Sequence, residues 1–162
     1  MVGASFAYAL SQSFGGTCPS ILVVEASALL SDKFLQPSFD ARSTALSFGS
    51  RQIFEALNLW QILEPQVSAI HEIHVSDKGR FGSTQLTREE LSVEALGYVV
   101  ENADLGAVLN EKLKVSNHID FLIPASIQQI SPTPGGTDLS ISTENKRLNV
   151  SANRVVLADG GR

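Results

Sequence analysis

Apolar residues recur every four positions at the start of the chain, at Val2, Phe6, Leu10 and Phe14, with small Gly3, Ala4 and Ala7 between them. That spacing predicts a helix lying close on something flat, ended by Gly15-Gly16. Ile21-Leu22-Val23-Val24 is an unbroken apolar run, the pattern of a strand covered on both faces, and Glu25 stands at its carboxyl end. A polar connection from Ser27 to Ser38 holds Leu29, Leu30, Phe34 and Pro37. Between Phe39 and Pro65 the spacing is helical again. Leu46, Ile53, Phe54 and Leu57 share a face, Asp40 or Ser43 is the expected cap, and Leu59, Trp60 and Leu63 continue the pattern. From Ile70 to Leu86 the period drops to two on either side of Lys78-Gly79-Arg80-Phe81-Gly82, which predicts a β-hairpin.

Tyr98, Val99 and Val100 then form a short strand, and Leu105, Val108, Leu109 and Leu113 return to helical spacing with Asn102 or Asp104 as cap. His118 to Pro124 reads as a strand that continues through Ile127 to Ile130. Turns at Thr133 to Asp138 and Glu144 to Lys146 separate two further strands. Val155-Val156-Leu157 closes the chain as one more apolar strand running into Asp159-Gly160-Gly161. Repeats, low-complexity stretches and dividing linkers are lacking. The expected fold is α/β, a parallel sheet with an antiparallel β insertion.

Composition narrows the classes. The 162 residues suffice for one cored domain, and a net charge of −5 with scattered Lys and Arg argues against nucleic acid, which needs a basic patch. No apolar run approaches the ~18 residues of a membrane span, and no signal peptide opens the sequence. The cytoplasm is therefore the expected location. Cys18, the single cysteine, has no disulfide or metal partner. His71, Glu72 and His74 sit at strand spacing that puts the imidazoles on opposite faces, so they do not form a metal motif. Trp60, Phe48, Phe54 and Phe121 are expected in the core.

The chemistry starts from the opening helix and strand. A helix feeding a parallel strand that ends in an acid matches the later part of a dinucleotide-binding βαβ unit. Gly3 is placed as the last glycine of G-x-G-x-x-G, and Glu25 follows at about the ~20 residues expected for the acid on ribose hydroxyls. On this reading the first strand and first two glycines would precede Met1.

The ordered set GASFAYALS, ILVVEA, FDARSTALSFGS, LNLW, IHVSDKGRFG, GYVVEN and VVLADGG resembles the flavin-dependent aromatic hydroxylases, within them the ubiquinone-biosynthesis branch. The resemblance runs over essentially the whole chain and implies a Rossmann-like FAD/NAD(P)-binding domain, truncated at both ends. It would lack the first strand, a later Gly-Asp motif and most of the substrate domain. It further implies that Gly3 closes the FAD pyrophosphate turn, Glu25 binds the adenosine ribose, Arg42 reaches the flavin and its phosphates, and Asn102 contacts the flavin side. Asp159 and Gly160 would be the Asp-Gly pair near the pyrophosphate. Taken as bare residues, Arg42 reads first as a solvated helix-start charge, Asn102 simply as a helix cap, and Asp-Gly as a plain turn.

By the same resemblance NAD(P)H reduces FAD, and O2 is used to hydroxylate a phenol carrying a polyprenyl tail. The whole enzyme would then work at the inner membrane surface or in a ubiquinone-biosynthesis assembly. Two other classes stay open: a non-hydroxylating flavin or NAD oxidoreductase, and a fragment that binds nothing. The chain alone is expected to be no competent hydroxylase and to hold FAD weakly or undetectably.

Overall fold

A computed structural model describes residues 1–13, 18–27, 42–79 and 81–160. Gly15-Gly16, Asp40, Gly161 and nearly all of the Ser27 to Ser38 connection lie outside the described residues. In chain order the elements are α1 (Val2–Ser13), β1 (Ile21–Val24), β2 (Ser43–Ser47), α2 (Phe48–Ala56), α3 (Trp60–Leu63), β3 (Val67–Ile70), β4 (Glu72–Ser76), β5 (Ser83–Thr87), β6 (Gly97–Glu101), α4 (Asn102–Lys114), β7 (Ile119–Leu122), β8 (Ala125–Thr133), β9 (Gly136–Thr143) and β10 (Arg147–Ala152). Among the described residues they make a mixed α/β fold with one parallel strand pair and several antiparallel ones. The chain folds as two compact units, the second inserted into the first: residues 1–40 with 109–162, and residues 41–108. No composition shift marks these boundaries, and the later one falls inside α4.

In the first unit β1 runs parallel to β7, Ile21 opposite Ile119 through Val24 opposite Leu122. The expectation of a strand covered on both faces is corrected here. β7 is the one ladder neighbour of β1 among the described residues, and Leu22 is exposed. The helix also turns a different face inward. Ala7, Tyr8 and Ser11 are buried, whereas Val2 and Phe6 are exposed, so the face carrying Tyr8 packs and the stripe of Val2 and Phe6 does not. Pro124, which has no N–H to donate, ends β7. The strand expected to continue through Ile127 to Ile130 is instead a separate one, β8, in an antiparallel meander with β9 and β10. Its cluster of Ala125, Leu139 and Ile141 gathers Val24, Leu122, Val150 and Val155. The closing apolar strand is corrected as well: residues 154–160 carry no ladder. Val155 packs on the cluster, while Val156 and Leu157 are exposed.

In the second unit β6 is central, with β2 and β3 antiparallel on its two edges. This corrects the helical reading of residues 43–47. Ser43-Thr44-Ala45-Leu46-Ser47 pairs along its whole length with β6, and cross-strand pairing outweighs the weak helical spacing that Leu46 suggested. The helix starts at Phe48, capped by Ser47, whose hydroxyl accepts from Ser50 N–H at 3.1 Å. Ile53 is then exposed and Phe54 buried. The hairpin expected between Ile70 and Leu86 is present as β4 and β5, with Ile73 opposite Leu86. Ile70 itself belongs to β3, a strand the periodicity did not separate. Leu59, Trp60, Leu63, Tyr98 and Val100 form the core. No helix among the described residues is long and apolar enough to cross a membrane.

Arg51 organises one wall of this unit. Its Nη1 donates to Glu94 Oε2 and to the Tyr98 hydroxyl, each at 2.6 Å, and its Nε donates to Glu55 Oε1 at 3.1 Å. The guanidinium also lies 5.3 Å from the ring centres of both Trp60 and Tyr98, which meet edge to face at 4.7 Å. The hydrogen bond that Arg51 donates to Glu94 is the main cause that raises the arginine's pKa above its ordinary value, against an opposing effect of burial.

Candidate functional site

In the first unit, α1 begins at Val2, so Gly3 sits in its first turn. A Cβ at Gly3 would stand 3.0 Å from the Ala158 side chain. The glycine is what lets the segment carrying Asp159 and Gly160 pass against the helix start, which brings three of the expected residues together. Gly160 has φ +78°, a left-handed conformation that other residues adopt at a cost, so a glycine suits the turn after Asp159.

Glu25 follows β1, and its backbone is fixed: its N–H donates to Leu122 at 3.1 Å and its carbonyl accepts from Ala125 N–H at 2.8 Å. Its Oε1 accepts from Ser27 N–H at 2.8 Å. That bond stiffens the turn and leaves Oε2 as the second acceptor of the carboxylate. Glu25 is exposed.

In the second unit, the antiparallel register sets Ser43 opposite Glu101, and the next backbone bond joins the other two expected residues. Asn102 N–H donates to the Arg42 carbonyl at 3.0 Å. Arg42 is exposed one residue before β2, while Asn102 is buried at the first residue of α4. The Thr44 hydroxyl donates to Asn102 Oδ1 at 2.6 Å. Asn102 is therefore more than a surface helix cap, because its side chain is held across the sheet edge. Periodicity passed over Thr44, since it lay within a stretch read as helix. Arg51 was passed over because its partners Glu94 and Tyr98 are distant in sequence.

The residue types within each unit suit parts of a dinucleotide cofactor. A carboxylate suits paired ribose hydroxyls, a guanidinium suits phosphate, and the Gly3 contact is a close approach that a side chain would fill.

No protein-family model matches the chain. A curated relative, the uncharacterized protein slr1300 of Synechocystis sp. (strain ATCC 27184 / PCC 6803 / Kazusa), is 22% identical over 118 residues, covering 73% of this chain and 28% of that protein. Among solved structures, p-nitrophenol 4-monooxygenase PnpA from Pseudomonas putida DLL-E4 superposes with a TM-score of 0.69 at 12% identity, over 91% of this chain and 35% of that one. The flavin-dependent monooxygenase PieE, solved in complex with FAD and substrate, gives 0.70 at 12% identity, over 93% and 27%. The chain spans about a third or less of the length of these proteins. At such identities the likeness shows a shared fold, that of FAD-binding monooxygenases.

Proposed function

We propose that the chain is part of the FAD-binding domain of a flavin-dependent aromatic monooxygenase. The observation that carries this is the fold shared with flavin monooxygenases over about nine tenths of the chain. The bond joining Arg42 to Asn102 and the contact of Gly3 with Ala158 support it. In this reading Gly3, Asp159 and Gly160 serve the pyrophosphate, Glu25 the adenosine ribose, Arg42 the phosphates and flavin, and Asn102 the flavin side. FAD held there supplies the redox chemistry, taking electrons from NAD(P)H and using O2 to hydroxylate an aromatic ring. The chain's own share is binding: Glu25 accepts from ribose hydroxyls, Arg42 neutralises phosphate charge, and Asn102 offers an amide.

The finer proposal, carried by the sequence resemblance, is a polyprenylated phenol of ubiquinone biosynthesis as substrate. The enzyme most resembled is octaprenyl-methoxyphenol hydroxylase, acting at the inner membrane surface or within a biosynthetic assembly. The domain here would be partial, with a first strand, a later Gly-Asp motif and most of the substrate domain outside these residues. By itself the chain is then expected to bind FAD weakly and to catalyse no hydroxylation.

Glu25 tests the cofactor assignment. In a version extended to the full domain, Glu25→Ala should weaken FAD binding by about 1.5 to 3 kcal/mol, the loss of a charge-assisted acceptor. Unchanged affinity in a flavin-fluorescence titration would make Glu25 a strand-end surface charge. Tight stoichiometric FAD with phenol-stimulated NAD(P)H oxidation from residues 1–162 alone would overturn the partial-domain reading.

A further inference from the structure

A cavity of about 450 Å³ opens at one end of the meander in the first unit, between the β8–β9 turn and the segment that leaves β10. Its construction depends on Gly136. A Cβ at that position would collide with the Ala152 carbonyl, so the glycine lets the end of β10 pass close by the turn. Thr137 pairs with Ala152 at the end of the ladder, and residues 154–160 then run free of the sheet. The lining divides by chemistry. Ile130, Val155 and Leu157 make an apolar side, and with Ile130 41% and Leu157 70% exposed, a ligand seated there takes apolar surface out of water. Thr137, Asn153 and Arg154 make a polar side. Arg154 is the one charged residue among the described walls. Its Nη1 donates to the Asn153 carbonyl at 2.9 Å, which occupies one of the five N–H donors, and it makes no ion pair among the described residues. Asp138, beside Thr137, is turned to the other face of the sheet by strand alternation, where its Oδ1 accepts from the Ser151 hydroxyl at 2.6 Å.

We propose that this cavity binds an organic monoanion, a single carboxylate carried on an apolar ring body. One guanidinium balances one negative charge, and its planar fork matches the two oxygens of a carboxylate. The volume lies in the range of small-molecule sites. A bare inorganic anion would leave the side made by Ile130, Val155 and Leu157 unused, and a neutral ring would leave Arg154 unused. None of Gly3, Glu25, Arg42, Asn102, Asp159 and Gly160 lines the cavity, so the proposal does not rest on the FAD reading.

The test is a heteronuclear NMR titration of residues 1–162 with naphthoate, with the alcohol of the same ring system and with inorganic phosphate. Naphthoate should saturate and move the backbone amides of Gly135, Gly136, Asn153 and Arg154. The alcohol should bind roughly 3- to 10-fold more weakly, and so should naphthoate to Arg154→Gln, because each lacks the charge-assisted bond at a solvent-screened arginine. Arg154→Lys should recover only part of the loss, since an ammonium has no fork. Phosphate should move the same amides with lower affinity than naphthoate. If Arg154→Gln disturbs the meander, the comparison of acid with alcohol on the wild-type chain carries the test. Equal affinity for acid and alcohol, unchanged affinity in a folded Arg154→Gln, phosphate bound more tightly than naphthoate, shifts centred away from the cavity, or no saturation at all would each overturn the proposal.

Discussion

The two units hold their candidate residues in different ways. In the second, Arg42 and Asn102 are joined through backbone, Asn102 is gripped by Thr44, and the core beneath contains Leu59 and Leu63 at 0% exposure. In the first, Glu25 and Asp159-Gly160 follow a strand and a ladder-free segment, and Val2, Phe6, Leu22, Val156 and Leu157 are exposed. The second unit therefore pre-organises its residues by burial and cross-strand bonds. The first holds the Glu25 backbone by bonds to Leu122 and Ala125, its side chain by a local turn, and the Asp159-Gly160 segment by the contact of Ala158 with Gly3. Pre-organised groups cost less to order when a ligand arrives, so the second unit should respond to mutation through stability and the first more through binding.

The widest separation between the units comes from removing large apolar side chains. Leu63→Ala empties a fully buried site and should cost about 2 to 5 kcal/mol, the transfer loss plus the cavity. Leu157→Ala, at a residue 70% exposed, should stay within about 0.5 kcal/mol. Urea unfolding followed by the fluorescence of the single Trp60 and by circular dichroism measures both. Equal losses would erase the distinction between the buried and the exposed site.

Arg51 sharpens the comparison next. Arg51→Met keeps some of the stem's packing but removes the bonds to Glu94, Glu55 and the Tyr98 hydroxyl, together with the stacking on Trp60 and Tyr98. Glu94 and Glu55 are more than a third exposed and screened by solvent, so most of the loss should come from the aromatic contacts and the part-buried tyrosine bond. About 1 to 3 kcal/mol is expected. Arg51→Lys should recover only part of it, because an ammonium lacks the planar fork. Full rescue by lysine would show that charge alone matters there.

How much of this was legible in the sequence follows from the range of each interaction. Local signals carried through: the hairpin of β4 and β5, the GYVVE strand, the helix over Leu105 to Leu113 and the short strand at Ile21 were readable from spacing and apolar runs. What pairing decides was not. Thr44 and Leu46 became strand because β6 lies beside them, and Val156 and Leu157 did not because no ladder strand lies beside them among the described residues. The inward face of α1 was misread for a related reason. Tyr8 turns inward between Ala7 and Ser11, and the four-residue stripe of Val2 and Phe6 does not reveal that. Among the site residues, Arg42 and Asn102 came from the resemblance, whereas the bond joining them is a fact of register.

Gly3 tests the close contact that holds the segment before Asp159 in the first unit. A side chain there meets Ala158 at 3.0 Å, so the closing segment must give way. Gly3→Ala gains up to about 1 kcal/mol of helix propensity, which offsets part of that strain. Gly3→Val adds further methyls with poorer propensity and should lose about 1 to 2 kcal/mol net. Denaturation midpoints of the two variants should therefore fall in the order Gly, Ala, Val or with Gly and Ala nearly level. A stabilised valine variant would show that Ala158 moves aside freely.

The smallest expected effect lies at the exposed end of the second unit. Arg88 Nε donates to Glu89 Oε1 at 2.8 Å, and this bond is the main cause that lowers the Glu89 pKa below its ordinary value of 4.5. A carboxylate whose folded pKa is depressed stabilises the fold fully above its unfolded pKa and loses that contribution as pH falls through the folded one. The window therefore lies in the acid range, below the ordinary carboxylate value. Both side chains face solvent, which screens the pair and keeps the contribution small. Glu89→Gln removes the titration while keeping the shape. Urea midpoints should differ slightly between wild type and variant near neutral pH, and the difference should close once the pH is well below the folded pKa of Glu89. A gap that widens in acid would reverse the sign and place the stabilising form of Glu89 in its protonated state.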